Sequence, residues 1–221
     1  MNVDQRRRIA ALVAAAMAAG PPAVAAGGEM AMAPGAVPDL GVERPGRRGF
    51  YAETSLGLFG TVGGSRGISF AQPSLGMAVG HHLGEAAAIF LQLEIGASRA
   101  SCFDGTLASC AGADSFGATF VELGLQYGWP LLPRLRLAGE VLGGLTVLSP
   151  SPLAGAQGGA VPETISGPHL GLGLGLDYDT HLDHFAVGFD VLGRHSRAGR
   201  PGGGTFGLTS FAMMPRIKYV F

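Results

Sequence analysis

The chain has 221 residues, 15 basic against 16 acidic, and a formal net charge of −1, which is enough for one domain with a full core and excludes a phosphate-seeking nucleic-acid surface. Glycine is abundant at 38 residues but has no Gly-X-Y period and falls inside apolar alternation, so collagen and low-complexity disorder are excluded. No apolar run of about 18 to 20 residues follows residue 25, so a helical membrane span is excluded there and any membrane role falls to strands.

Arg6, Arg7 and Arg8 precede an Ala-rich apolar run from Ile9 to Ala19, then Gly20-Pro21-Pro22 and small residues at Ala23-Val24-Ala25. This is the charged, apolar and cleavage-site order of a secretory signal peptide, so residues 1–25 are expected to be removed. The run is too short to span a bilayer and carries no helical stripe. Residues 26–48 are rich in Gly, Pro, Ala and Met without periodicity, and read as a flexible lead-in. Residues 49–221 form the remaining domain.

From Phe50 the sequence alternates with a period of two, which marks strands with one apolar and one polar face. The first strand sets Phe50, Ala52, Thr54, Leu56 and Leu58 against Tyr51, Glu53, Ser55 and Gly57. In the second, Leu75, Met77 and Val79 oppose Ser74, Gly76, Ala78 and Gly80, and a turn follows at His81–Glu85. The third opposes Ile89, Leu91, Leu93, Ile95 and Ala97 to Phe90, Gln92, Glu94, Gly96 and Ser98.

The fourth runs through Thr119, Val121, Leu123, Leu125, Tyr127 and Trp129, with Phe120, Glu122, Gly124, Gln126 and Gly128 opposite. In the fifth, Leu135, Leu137, Val141, Leu145 and Val147 oppose Arg136, Ala138, Glu140, Gly144 and Thr146, with Leu142 breaking the polar row. The sixth sets Leu170, Leu172, Leu174, Leu176 and Tyr178 against His169, Gly171, Gly173, Gly175 and Asp177. The seventh sets Phe185, Val187, Phe189 and Val191 against Ala186, Gly188, Asp190 and Arg194. The eighth ends the chain: Phe211, Met213, Pro215, Ile217, Tyr219 and Phe221 share one row, with Arg216 and Lys218 in the other.

Each strand is about the 9 to 11 residues a tilted strand needs to cross a bilayer core. The apolar rows contain no Asp, Glu, Lys or Arg, whereas the opposite rows hold Glu53, Glu94, Glu122, Glu140, Asp177, Asp190, Arg136, Arg194, Arg216 and Lys218. A cationic side chain facing lipid at the midplane costs about 2–4 kcal/mol, so a lipid-facing row excludes one. Alternation alone does not say which row is inside, and a lipocalin-like barrel would invert it. The signal peptide and the aromatics Trp129, Tyr127, Tyr178 and Tyr219 beside the short turns favour the inside-out version. The expected fold is therefore all-β, an eight-stranded antiparallel up-and-down transmembrane barrel. Its expected place is the bacterial outer membrane, among outer-membrane lipid, with both termini periplasmic.

Connections are expected to alternate. Short turns at 81–85, 130–133 and 179–184 face long loops at 60–72, 99–115, 149–167 and 196–204. Pro215 removes a ladder donor, so a local break in pairing is expected beside it.

Buried ions are costly unless paired, so the ten charged residues of the polar rows are expected to form an internal network that plugs the lumen. Cys102 and Cys110, the only cysteines, fall in one long loop and read as a disulfide in an exported protein. The turn histidines His81, His82, His181 and His184 are read as exposed turn residues, and no metal or cofactor is expected. His195-Ser196 admits a lipid-modifying hydrolase, but the two are adjacent and no orienting acid can be named. No catalytic residue is expected, and a narrow pore is the other alternative. The repeat Gly171–Leu176 is strand alternation with no phosphate-binding turn into a helix.

The closing row of Phe221, Tyr219 and Ile217 resembles the C-terminal signal by which outer-membrane barrels engage the barrel assembly machinery. Together with eight alternating segments and a signal peptide, it makes nearly the whole chain resemble the small eight-stranded outer-membrane barrels. The stretches RRGFYAETSLGLFG, SCFDGTLASCAGADSF and PRIKYVF also resemble the CglE-type barrel proteins of the myxobacterial gliding-motility group. That resemblance implies a non-enzymatic part of a surface motility or adhesion assembly, with other envelope or motility proteins as partners.

Overall fold

The computed structural model describes residues 49–63, 67–99, 115–152, 164–182, 184–199 and 204–221. The signal peptide, the lead-in and the Cys102–Cys110 disulfide of the sequence reading lie outside the described residues. Every regular element described is a strand: β1 (Gly49–Val62), β2 (Ile68–His82), β3 (Ala87–Ser98), β4 (Phe116–Leu132), β5 (Leu135–Ser149), β6 (Ile165–Asp179), β7 (Phe185–Gly199) and β8 (Thr205–Val220). Each pairs antiparallel with its sequence neighbours, and β8 returns to β1, closing the sheet into a barrel.

The register fixes the barrel's dimensions. Following paired residues from Tyr51 through Gly80, Phe90, Gly124, Leu142, Gly171, Arg194 and Ser210 returns to β1 at Thr61, ten residues (61 − 51) above the start. Eight strands with a shear of ten tilt by about 41° and enclose a radius of about 8 Å, given a rise of ~3.3 Å and a spacing of ~4.7 Å. Each residue then climbs about 2.5 Å along the axis. On β4 the outward positions Val121 to Trp129 cover about 20 Å, close to the ~25 Å apolar band of an outer-membrane barrel.

The apolar rows face outward and the polar rows inward on all eight strands. Leu56, Met77, Ile95, Leu123, Val141, Leu172, Val191 and Ile217 are exposed, while Glu94, Glu122, Asp190, Arg194 and Lys218 are buried. Such a face is stable only where lipid replaces water. At the end bearing the turns 83–86, 133–134 and 180–184, aromatic rings pack edge to face on the outside: Tyr127 on Trp129, Phe185 on Tyr219 and Tyr219 on Phe221, each pair with centroids 5.0 Å apart. Amphipathic rings in that position form the girdle expected where hydrocarbon meets headgroups.

Glycines of the inward rows make room for large side chains on the neighbouring strand. Gly80 lies under the Tyr51 ring and Gly124 under the Phe90 ring, and a methyl group at Gly188 would stand 2.6 Å from Arg216 Nε. A lumen only ~8 Å in radius fills by such small-to-large pairing. Leu142 belongs to this interior, 1% exposed among inward neighbours.

Three details differ from the sequence expectation. The connections after β1 and β7 are short, spanning only 63–67 and 200–204, because the ladders continue past the apolar band. Their outer ends have Thr61, Ser69, Ser196 and Ala198 inside, small or hydroxylated residues that leave no hydrophobic period to read. His81 and His82 belong to β2, with the turn beginning at Leu83. β4 runs through Pro130 to Leu132, leaving a turn of only Pro133-Arg134.

At Pro215 the pairing with β7 is unbroken, through Phe189. On the β1 side, pairs are formed at Ser55–Arg216 and Leu58–Met213 but not between them, and the register is the same on both sides of the gap. The break beside Pro215 is therefore present without a slip. Gly57 sits in that gap, where a Cβ would stand 2.7 Å from Met214 Cα, so β1 and β8 approach closely without a ladder.

Candidate functional site

The interior divides into two charged layers. Nearer the short turns, Arg216 collects carboxylates from four strands: its Nη1 lies 2.5 Å from Asp190 Oδ2, 3.2 Å from Glu140 Oε1 and 3.5 Å from Glu53 Oε1, and its Nη2 lies 2.7 Å from Asp177 Oδ1. Lys218 Nζ adds contacts to Glu53 at 3.3 Å and Asp177 at 3.8 Å, and stands 4.6 Å from the centre of the Tyr51 ring. Gln126 Nε2 donates to Glu140 Oε1 at 2.7 Å. A void of about 10 Å³, the size of one water, remains between Tyr51, Glu53, Gln92, Gln126, Glu140 and Arg216.

Nearer the long loops, Arg194 lies between two glutamates. Its Nη2 is 2.5 Å from Glu94 Oε2 and its Nε is 2.5 Å from Glu122 Oε1, with the guanidinium 4.7 Å from the centre of the Phe120 ring. Ser74 Oγ donates to Glu94 Oε1 at 2.7 Å. On the other side, His169 Nε2 lies 3.2 Å from Glu122 Oε1 and its Nδ1 shares a hydrogen bond of 2.9 Å with Thr146 Oγ1. Thr146 in turn is 2.8 Å from Ser196 Oγ.

Leu142, Leu192 and Met214 lie between the layers in the register, each about 1% exposed. Phe116, Leu148, Ile165, Phe206 and Leu208 fill the end above the Arg194 layer. Among the described residues the lumen is packed along its length by these side chains.

Of the ten charged residues singled out in the sequence, nine fall into these two layers: Glu53, Glu140, Asp177, Asp190, Arg216 and Lys218 in one, and Glu94, Glu122 and Arg194 in the other. Arg136 sits at the turn end of β5, half-buried, where its Nη2 donates to the carbonyl of Glu85. Tyr219 and Ile217 face outward, and Phe221 lies beyond β8 with its N–H donating to the Phe50 carbonyl at 2.9 Å, so the chain's last residue is tied to its first strand. The sequence reading did not include His169, Thr146, Ser196 or Gln126 in the interior network. His169 stood in a polar row, which was the available signal, but its partner Glu122 is on β4, two strands away around the ring, where no spacing along the chain reveals it.

His195 and Ser196 do not form a catalytic pair. They are consecutive in a strand and point to opposite faces: the His195 ring lies outside, bonded through Nδ1 to Thr209 Oγ1 at 3.1 Å, and Ser196 is sealed inside. Among the described residues no group of three or more His, Cys, Asp or Glu side chains has the geometry to hold a metal ion.

No protein-family model matches the chain, and no curated protein matches it. Among solved structures, the crystal structure of Neisserial surface protein A is similar with a TM-score of 0.57 at 11% identity, over 78% of this chain and 97% of that one. The fold is that of the small outer-membrane β-barrels. The attachment invasion locus protein Ail of Yersinia pestis has a TM-score of 0.46 at 14% identity, over 79% of this chain and 99% of that one. The outer-membrane protein AlkL has a TM-score of 0.46 at 16% identity, over 91% and 95%.

Proposed function

We propose that the protein is a non-enzymatic outer-membrane barrel, a structural or interaction component of the cell envelope that holds its long loops on the outer face with both termini in the periplasm. The observation that carries this reading is the interior. Two ion-paired layers with an apolar layer between them leave no route for solute among the described residues, and the Ser196 hydroxyl, beside His195 in sequence, is held by Thr146. A filled lumen turns the barrel into a rigid mount, so its specific contacts fall to the loops, the turns and the lead-in.

The finer reading, a part of a surface gliding-motility or adhesion assembly, is supported by the resemblance of residues 47–60, 101–116 and 215–221 to that group of barrel proteins. Planar-bilayer recording of the refolded protein tests the mount against the pore: no stable conductance is expected, and steady channel currents would overturn the plug. Crosslinking in intact cells followed by pull-down from outer membranes tests the assembly, with envelope-spanning motility or adhesion proteins expected in the eluate. Recovery of the barrel with lipid alone would remove that assignment.

A further inference from the structure

At the outer rim several outward rows turn polar, as at Ser149 on β5, Ser166 on β6 and Arg99 just past β3, and on β7 the row brings an imidazole and a guanidinium together. The outward row stays apolar to its outer end on β1 and β2, at Val62 and Ile68. On β7 it reads Val191, Gly193, His195, Arg197, and the outward neighbours on β8 are Phe211, Thr209 and Gly207. The His195 ring lies against Gly207, where a Cβ would stand 3.0 Å from His195 Cε1, so glycine is what lets the imidazole sit flat on the sheet. Its Nδ1 is held by Thr209 Oγ1 at 3.1 Å, and Nε2 has no hydrogen-bond partner among the described residues. Arg197 stands two positions higher, exposed, cross-strand from Gly207, and makes no ion pair with any described residue. No described outward position of this half of the barrel carries Asp or Glu.

Directly below, the wall is recessed. A Cβ at Gly193 would find only the Leu172 carbonyl, at 4.0 Å, and the recess is flanked by Leu172 on β6 and Phe211 on β8. At ~2.5 Å of axial rise per residue, Arg197 lies about 10 Å above Gly193. A guanidinium, an imidazole and a hydroxyl above an apolar slot match an anionic headgroup above one acyl chain. Arginine is suited to phosphate because its planar fork donates in pairs.

We infer that the outer face of β7 and β8 binds one phosphorylated lipid of the outer leaflet, its phosphate held by Arg197 and His195 and one of its chains lying in the recess at Gly193. This rests on the outer-membrane reading above. The site uses no lumen residue. At the outer rim the cost of a charge in the outward row falls to about 0–1 kcal/mol, so the pair stands at headgroup height without a penalty to offset.

The test is native mass spectrometry of the full-length mature barrel released from nanodiscs of phosphatidylglycerol or of phosphatidylcholine with the same chains. One retained phosphatidylglycerol per barrel is expected, with about tenfold weaker retention in Arg197→Ala, the equivalent of one charge-assisted contact. Gly193→Leu, which fills the slot and leaves the cations in place, is expected to lower retention of both lipids. Arg99→Ala, at an exposed arginine just past the outer end of β3, is the control and is expected to change nothing. Equal retention by wild type and Arg197→Ala, in protein that still shows heat-modifiable gel mobility, would overturn the lipid site while leaving the barrel intact. Protein that fails to enter the nanodiscs at all would overturn the outer-membrane reading instead.

Discussion

Replacing Arg216 with methionine removes the one group shared by four buried carboxylates while keeping a stem of similar reach. Its guanidinium is 3% exposed and lies within 3.5 Å of Glu53, Glu140, Asp177 and Asp190. In the variant those four acids share Lys218, whose Nζ is 3.3 Å from Glu53 and 3.8 Å from Asp177 and reaches neither of the others. Deleting one partner of a buried pair costs about 3–5 kcal/mol, because the remaining charge is left in a low-dielectric site without compensation. With four acids affected, the upper end of that range is expected, about 5 kcal/mol, a large share of the ~5–15 kcal/mol that stabilises a typical domain. The sole tryptophan, Trp129, sits on the lipid face at the girdle, so its emission reports unfolding in urea from phospholipid vesicles directly. Adding Asp190→Asn to Arg216→Met removes the nearest carboxyl left without its guanidinium and is expected to return at least about 1 kcal/mol, as coupled sites in one network do. An Arg216→Met barrel within about 1 kcal/mol of wild type, or no recovery from the second substitution, would refute the view that this layer holds the barrel together.

Gly57→Val places a side chain against the β8 backbone at the seam, where a Cβ would stand 2.7 Å from Met214 Cα; a loss of about 1–3 kcal/mol is expected in the same urea assay. Gly143→Ala is the matched control, since its Cβ meets Leu170 Cδ2 at 3.4 Å and the His169 carbonyl at 3.9 Å, both ordinary contacts, and its stability is expected to stay within about 0.5 kcal/mol of wild type. Leu174→Arg puts a cation on the lipid face near mid-belt and is expected to cost about 2–4 kcal/mol in vesicles, whereas Leu182→Arg, in the turn after β6, is expected to cost little. Ser196→Ala is expected to lose about 1 kcal/mol through its bond to Thr146 and to leave envelope lipid composition unchanged by mass spectrometry; altered lipids would reopen a catalytic role.

Much of the fold was legible because lipid imposes a strict rule on one face of every strand. The row Leu170, Leu172, Leu174, Leu176 against Gly171, Gly173, Gly175, Asp177 could be read without coordinates, and all four leucines are exposed in the structure. The strand ends were less legible. Thr61, Ser69 and Ser196 are buried above the band, but their neighbours are not uniformly apolar, so the period fades while the ladder continues. The candidate site was legible as a set of residue types and not as an arrangement. Nothing in the spacing of Glu122, His169 and Arg194 says that the three meet, since β4, β6 and β7 are brought together only by closure of the ring.

By itself the sequence determined the number of strands, their alternation and which residues share a face, because those are local consequences of a two-residue period and of the cost of charge in hydrocarbon. Tertiary structure decided the shear of ten, and with it which inward residues stand at the same height. That height sorts the charges into an Arg194 layer and an Arg216 layer and puts Gly80 under Tyr51. The physical reason is that pairing register is a relation between strands far apart in the chain, fixed only when all eight ladders close at once.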